Sequence, residues 1–142
     1  MQKVTFTSPQ DAEAAFYDAL ERADLNALMA VWAEDEDIVC ILPGGVRMTG
    51  FSNVREAWQR IFESGRRLKI SISHQMIQQS MATSIHHLSE RIALRDTEPE
   101  QSAPILTTNV FVRGALGWRL LVHHASLAPA DDETCAAHKT LH

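Results

Sequence analysis

The feature that most constrains the fold is a pair of strand-forming segments near the C-terminus. Residues 105–113 and 118–127 are rich in β-branched and aromatic side chains, which favours a strand for each. Residues 114–117 between them read Gly-Ala-Leu-Gly, and glycine readily supplies the positive φ that a reversing chain needs. The sequence therefore predicts a long antiparallel hairpin, and the rest of the chain has to cover its apolar side.

Alternation along the two strands assigns their side chains to faces, because successive residues of a strand point to opposite sides. Asn109 and Phe111 share one face of the first strand, and Trp118, Val122 and His124 share one face of the second. We therefore expect His124 to point the same way as Trp118.

Three helices are predicted before these strands. The first begins at Ser8 as N-cap, with Pro9 at the first helical position. Asp24 is placed to cap a second, shorter helix, and Asn53 to cap a third that ends near Gly65. Each helix carries an apolar stripe at helical spacing, as expected when one side packs on a core.

Three further strands complete the pattern. A short apolar strand at 38–42 separates the second and third helices, and period-two patterns begin at 68 and run over about 83–95. The element order is therefore helix, helix, short strand, helix and four strands in a meander. This order predicts an α+β domain in which helices cover one face of an antiparallel sheet.

Length and composition are typical of one globular domain. The 142 residues fit a single domain over 1–142, with an ordered core at about 8–128 followed by a polar tail at 129–142 that we expect to be frayed or weakly helical. Cys40 and Cys135 have no spacing typical of a disulfide framework or a zinc site.

Charge and hydropathy exclude some classes of function. The net charge of −5 gives no electrostatic basis for binding nucleic acid. No apolar run approaches the roughly 20 residues of a membrane span, and the first residues lack the apolar middle of a signal peptide. We therefore expect a cytoplasmic protein that contacts neither nucleic acid nor membrane.

Five segments of the chain resemble a known family. They are AFYDAL at 15–20, LMAVWA at 28–33, MTG at 48–50, TNVF at 108–111 and GWRLLVHHAS at 117–126. Together they resemble a nuclear-transport-factor-2-like domain of the SnoaL-like branch, related to the association domain of calcium/calmodulin-dependent kinase. The resemblance implies a cystatin-like cone, in which a curved antiparallel sheet with a mixed edge lies under three N-terminal helices. It also implies an internal pocket and homodimers formed through the outer face of the sheet.

The same fold hosts steroid isomerases, polyketide cyclases, dehydratases and assembly modules, so the fold alone does not decide the function. The residues that isomerases use do not carry over. Their general-base Asp falls on Cys40, their oxyanion-binding Tyr falls on Phe16 with Tyr17 adjacent, and their protonated Asp falls near Asn109. A thiol with no basic neighbour in the sequence is a poor base, which argues against steroid isomerase chemistry.

Asn109, Glu90 and His124 are the candidate site residues from the strands. The meander places them on neighbouring strands, where a carboxylate could orient an imidazole while the amide binds a polar ligand atom. A hydrogen-bonded network under the helices, or a solvent-facing Glu90, is the structural alternative.

Trp32, Trp58 and Tyr17 are the candidates from the helices. Their spacing directs them toward the sheet, where they pack in the core, line an apolar pocket, or do both.

The paired histidines 86–87 and 123–124 do not predict a metal site. Neighbours on a strand point to opposite faces, so at most one of each pair serves any single site, and no His-x-His pattern is present. We expect the outward members, His86 or His87 together with His123, to lie where a dimer interface would become sensitive to pH.

Two functional hypotheses follow. The first is a pocket protein for a small, largely apolar carbonyl or hydroxyl compound, acting without a cofactor if it catalyses an isomerisation, cyclisation or dehydration. In that case His124 would move protons, with Glu90 beside it, and Asn109 would stabilise an oxyanion. The second is a non-catalytic module whose product is the homo-oligomer itself.

Overall fold

The computed structural model describes residues 4–95 and 102–129. The sequence also predicts a polar, proline-containing loop at 97–104; most of it, and the expected tail after residue 129, lie outside the described residues. Within them the chain forms three helices and six strands: α1 (Pro9–Arg22), α2 (Leu25–Val31), β1 (Val39–Ile41), β2 (Arg47–Thr49), α3 (Phe51–Glu63), β3 (Leu68–Gln79), β4 (Thr83–Leu94), β5 (Ile105–Gly114) and β6 (Gly117–Leu127).

The first two helices begin where their caps predict. The Ser8 hydroxyl accepts a hydrogen bond from the Asp11 N–H at 3.0 Å, and Pro9 opens α1. The Asp24 carboxylate accepts from the Ala27 N–H at 3.0 Å, which caps α2. Each side chain satisfies a backbone donor that has no partner inside its helix, so both predicted helix starts are confirmed.

The third helix begins earlier than predicted. Its N-cap is Gly50, at φ 86°, and Asn53 lies inside the first turn with its side chain donating to the Thr49 carbonyl. The Gly50 N–H donates to the Ile38 carbonyl at 3.0 Å, which ties the helix start to the segment leading into β1. The prediction of Asn53 as the cap is therefore wrong, because a tertiary contact and a positive φ fix the start at Gly50. The predicted end is confirmed, since Ser64 is the C-cap and Gly65 follows at φ 79°.

The sheet has the order β2-β1-β6-β5-β4-β3. Strands β3 to β6 form the predicted antiparallel meander. Strand β1 pairs in parallel with β6, and β2, a strand the sequence did not predict, pairs antiparallel with β1 at the edge. The α+β architecture with a mixed edge is therefore confirmed.

The core lies between the helices and the inner face of the sheet. Phe16 of α1 is fully buried and packs edge-on against Trp32 and Trp58, with ring centroids 6.2 and 6.1 Å away. Phe111 and Leu120 supply fully buried side chains from the sheet. Truncating a buried aromatic of this kind typically costs about 3–5 kcal/mol, so these rings hold the helices on the sheet.

Candidate functional site: a buried polar network

A β-bulge in β6 decides which histidine faces the core. Val110 pairs with Val122 and Phe111 pairs with Leu120, so Leu121 is an extra residue on β6. One extra residue exchanges the two faces for everything that follows it. His123 is consequently buried, at 2% exposure, and His124 is exposed. The expectation that His124 faces the core and His123 faces outward is therefore wrong, because strict alternation does not hold across the bulge.

The second histidine pair is resolved by the register of β4. His86 is fully buried on the inner face, whereas His87 is half-buried on the outer face. Thr108 pairs with both His87 and His124, so the two outer histidines lie on either side of it in one row across the sheet. Of the two candidates left open by the sequence, His87 is the outward one.

Asn109 is the centre of the buried network. Its Oδ1 lies 2.6 Å from Nδ1 of His123, and its Nδ2 lies 3.0 Å from both the Tyr17 hydroxyl and Glu13 Oε2. The Tyr17 hydroxyl in turn donates to Glu90 Oε2. An unbroken hydrogen-bonded chain therefore runs from Glu90 through Tyr17 and Asn109 to His123.

The donors and acceptors in this chain fix the His123 tautomer. Because the Asn109 amide group donates to a carboxylate and a hydroxyl, its carbonyl oxygen is the atom that faces His123. His123 therefore donates from Nδ1, and Nε2 is the nitrogen that carries the lone pair. The imidazole is neutral, since burial and then the neighbouring His124 lower its pKa to about 3.

Glu13 joins a second branch to the network. Its Oε2 lies 3.0 Å from His86 Nδ1, without the alignment of a hydrogen bond, and the Ser84 hydroxyl lies 2.8 Å from His86 Nε2. The Gln75 side chain donates to the other Glu13 oxygen. Gln75 lies beside a bulge in β3 between Ser73 and Met76, so this contact too depends on an irregular strand.

Sequence reasoning missed Glu13 and did not decide which of His86 and His87 faces inward. The available signal for Glu13 was its position four residues before Tyr17, which places both on one helix face. Glu13 is 5% exposed, and a carboxylate is rarely that buried without partners. An acidic residue next to an apolar stripe was therefore a marker of the site.

Burial shifts the protonation of the two groups at the Glu90 end. It raises the pKa of the Glu90 carboxyl, and the hydrogen bond from Tyr17 offsets that rise only in part. Burial, together with the Glu90 charge, also raises the pKa of the Tyr17 hydroxyl well above its usual range. The pKa of Glu90 therefore lies closer to neutral pH than that of an exposed carboxyl group. A pKa in this direction suits a group that exchanges protons.

Cys40 lies beside this network on β1. It is paired with His123 in the parallel ladder and is fully buried. Burial raises the pKa of the Cys40 thiol to about 12. A neutral thiol beside a neutral imidazole is not the ion pair of a cysteine nucleophile, so Cys40 is an unreactive core residue at neutral pH.

Both tryptophans predicted to look inward are core residues. Trp32 and Trp58 are 1% and 3% exposed, and Phe16 packs between them. Trp58 also contacts the His123 ring, with centroids 6.4 Å apart, and the Phe62 ring at 6.1 Å. Trp58 therefore contacts both the buried network and the end of the domain where Phe62 lies.

A cavity of about 370 Å³ opens at that end. We call it the mouth pocket; the four residues Asn109, Tyr17, Trp32 and Trp58 do not line it. Its position follows from its lining, which comes from the last turns of α1 and α3 and the start of β3: Leu20, Ile61, Phe62, Ser64, Arg66 and Leu68.

The sequence matches a known family. The family model for the SnoaL-like domain matches residues 10–131. The chain belongs to the SnoaL-like domain family. The predicted resemblance is thereby confirmed.

Solved structures agree with this assignment. The SnoaL-like domain is similar to a protein from Thiobacillus denitrificans that is provisionally named as a calcium/calmodulin-dependent protein kinase type II association domain. The two are 34% identical with a TM-score of 0.75, over 88% of this chain and 98% of that one. It is also similar to a provisionally named NTF2-like dehydratase from Streptomyces avermitilis, at 26% identity and a TM-score of 0.74, over 84% of this chain and 92% of that one.

A curated relative is the F-box protein SKIP8 of Arabidopsis thaliana. It is 24% identical over 125 residues, which are 87% of this chain and 51% of that protein. The SnoaL-like domain therefore spans about half the length of this relative.

Two further structural findings concern metals and membranes. Across residues 4–95 and 102–129, no three His, Cys, Asp or Glu side chains come together as a metal site requires. No helix in the described part of the chain is both long and apolar enough to cross a membrane.

Proposed function

We propose that this SnoaL-like domain binds a small, largely apolar molecule through the mouth pocket and places its carbonyl or hydroxyl oxygen at Tyr17 and Asn109. The reaction class is cofactor-independent proton transfer, as in isomerisation, cyclisation or dehydration. The observation that carries the proposal is the hydrogen-bonded chain from Glu90 to His123, buried between the helices and the sheet. Burying polar groups costs folding free energy. Buried hydrogen-bonded chains whose members have shifted pKa values are often found at functional sites.

Glu90 and Tyr17 are proposed to move the proton. When Glu90 is protonated, it can donate to the Tyr17 hydroxyl, which frees that hydroxyl to donate to a ligand oxygen. The raised pKa of Glu90 makes its protonated form more accessible near neutral pH. The Asn109 N–H that donates to the Tyr17 hydroxyl turns to the ligand oxygen when the ligand enters, which gives an oxyanion its second donor.

His123 is proposed as a positioning residue. Its low pKa makes it a weak base, but its Nδ1–H holds the Asn109 carbonyl oxygen and so directs the amide N–H groups toward Tyr17 and Glu13. The proton-moving role that the sequence suggested for His124 does not pass to the other histidine of the pair. It is assigned to Glu90.

We propose that a ligand moves from the mouth pocket to this site past Leu20 and Trp58. Leu20 lines the pocket and is three residues from Tyr17 on α1, about 4.5 Å along the helix axis. Trp58 lies between Phe62 of the pocket and His123. A ligand that reaches Tyr17 therefore has to displace the Trp58 ring, and replacing Trp58 with alanine should widen the path.

The test is a binding and exchange experiment with acetophenone, 2-naphthol and 2-acetylnaphthalene as probes. Binding is followed by methyl chemical shifts of Leu20 and Ile61. Deuterium exchange from solvent next to the ketone group reports proton transfer. We expect Asn109→Leu to weaken binding and Glu90→Gln to abolish exchange while binding persists.

The matched control is Thr108→Ala, one residue away on the outer face of β5. It should leave both measurements unchanged. Failure of every probe to shift the pocket methyls, or equal exchange with Glu90→Gln, would overturn the proposal.

The outer face of the sheet favours a second candidate, homo-oligomeric assembly. Ile85, Val110 and Val122 form one half-buried apolar row there, and Met76 and Leu106 are 66% and 39% exposed. An apolar sheet face of this kind is typical of an interface. The 34%-identical relative is itself named as an association domain.

We propose that two copies form a homodimer through this face. Sedimentation analysis of Val110→Lys should show a monomer if the proposal is correct. Gln59→Lys adds the same charge at an exposed position of α3, in the helical layer, and should remain a dimer. A wild-type chain that sediments as a monomer at high concentration would exclude the homodimer.

A further inference from the structure

The mouth pocket combines an apolar lining with one guanidinium group. Leu20, Ile61, Phe62 and Leu68 supply the apolar lining, and Arg66 supplies the charge. At about 370 Å³, the cavity lies within the range of roughly 300–1,000 Å³ that is usual for small-molecule sites.

The polar groups of the pocket differ in whether they are already used. The Ser64 hydroxyl donates to the Ile61 carbonyl at 2.6 Å, which closes the end of α3. The Arg66 guanidinium makes no hydrogen bond or ion pair with the described part of the chain; only its backbone N–H approaches Ser64 Oγ, at 3.5 Å. Its donors are therefore available to a ligand.

The two carboxylates next to pocket residues in the sequence, Glu21 and Glu63, have other partners. Glu21 accepts the Ile70 backbone N–H at 2.8 Å, and Glu63 accepts from Gln59 at 3.0 Å. Arginine presents a planar set of donors that matches a carboxylate in a two-point contact. An unpaired arginine at the rim of an apolar cavity thus selects for a carboxylate attached to an apolar body.

We infer that the ligand of the mouth pocket is a small amphipathic carboxylic acid, whose carboxylate binds Arg66 and whose apolar body lies between Phe62 and Leu20. This inference rests on the proposed function, since it names the class of molecule that the same pocket takes. Together they describe a hydroxy- or oxo-carboxylic acid with its two polar ends separated by an apolar segment.

The test compares three probes with equal chains: octanoate, octan-1-ol and octylamine. Binding is measured by titration of the Leu20, Ile61 and Leu68 methyl shifts, with Val110 as the remote reference. We expect wild-type protein to bind octanoate about tenfold more tightly than octan-1-ol, as a charge-assisted contact provides, and octylamine least. Added salt should weaken the binding of octanoate and leave that of octan-1-ol unchanged.

Two variants with the same change in charge locate the contact. Arg66→Gln should remove the preference for octanoate while octan-1-ol still binds. Arg67→Gln is the matched control, because Arg67 is an exposed neighbour that does not line the pocket. It should leave both affinities unchanged.

The outcomes separate the two proposals. If octan-1-ol binds as tightly as octanoate, or if Arg67→Gln has the same effect as Arg66→Gln, the carboxylate inference is overturned and the ligand pocket stands. If no probe shifts the pocket methyls, the proposed function fails, and this inference fails with it.

Discussion

Replacing His123 with glutamine is expected to remove a pH-dependent loss of stability. Burial, with a smaller contribution from His124, lowers the pKa of the His123 imidazole to about 3, whereas an unfolded histidine has a pKa of about 6.5. As the pH falls below about 6.5, the unfolded chain takes up a proton that folded His123 does not accept. The free energy of unfolding therefore decreases; the stability that the neutral imidazole provides is complete above about pH 6.5 and is lost progressively down to about pH 3.

The magnitude follows from the difference in pKa. Each pH unit between about 6.5 and 3 lowers the free energy of unfolding by about 1.4 kcal/mol through this group. Between pH 7 and pH 5 the loss is about 2 kcal/mol, because the proton uptake begins only near 6.5. Glutamine does not titrate, and its N–H group can still donate to Asn109 Oδ1.

The assay is urea unfolding of wild type, His123→Gln and His124→Gln at pH 7 and pH 5. All other titrating groups are common to the three proteins, so comparing their losses between the two pH values isolates the substituted residue. We expect the loss in His123→Gln to be about 2 kcal/mol smaller than in wild type. His124→Gln should lose nearly as much as wild type, because His124 is exposed.

Equal losses in wild type and His123→Gln would refute the argument from burial. So would an NMR signal of the His123 ring that moves between pH 8 and pH 5 in the folded protein, since a group with a pKa of about 3 stays neutral throughout that range.

Three further predictions address other parts of the network and the fold. Burial raises the folded-state pKa of Glu90, so the free energy of unfolding of wild type decreases as the pH rises above the unfolded value of 4.5. Glu90→Gln does not titrate, so its stability relative to wild type should increase between pH 4 and pH 8 in urea unfolding. A relative stability that decreases over this range would contradict the prediction. In a Cys135→Ser background, Cys40, with its pKa of about 12, should react with a thiol reagent at pH 8 only after urea unfolding, and rapid reaction of the native protein would show that the thiol is accessible. Gly117→Ala should lower the free energy of unfolding, measured with urea, by more than about 2 kcal/mol, because φ is 86° and the added Cβ would lie 2.4 Å from a backbone oxygen. Gly114→Ala is the control: its added Cβ has nothing within 4 Å, so it should cost less than about 1 kcal/mol.

The interior residues of the site were only partly predictable. Asn109, Glu90 and Tyr17 were found from strand alternation and helix spacing, because both periods hold along regular elements. Their mutual hydrogen bonds were not found, since these depend on how α1 lies across β4 and β5. The structural alternative stated for these residues was a hydrogen-bonded network under the helices, and their contacts in the structure form such a network.

What the sequence determined by itself is local in origin. The caps at Ser8 and Asp24, the end of α3 near Gly65 and the four-strand meander follow from backbone preferences and periodicity within single segments. Residues close in sequence decide these features, so a pattern can predict them.

Only the tertiary structure decided the arrangement of the buried site, through two irregularities in the strands. The bulge at Leu121 turns His123 inward, and the bulge in β3 brings Gln75 to Glu13. A bulge is placed by the fit between neighbouring strands and the helices above them, and one extra residue reverses every face that follows. The identity of the histidine that faces the core therefore depends on packing between distant segments, which strand periodicity cannot predict.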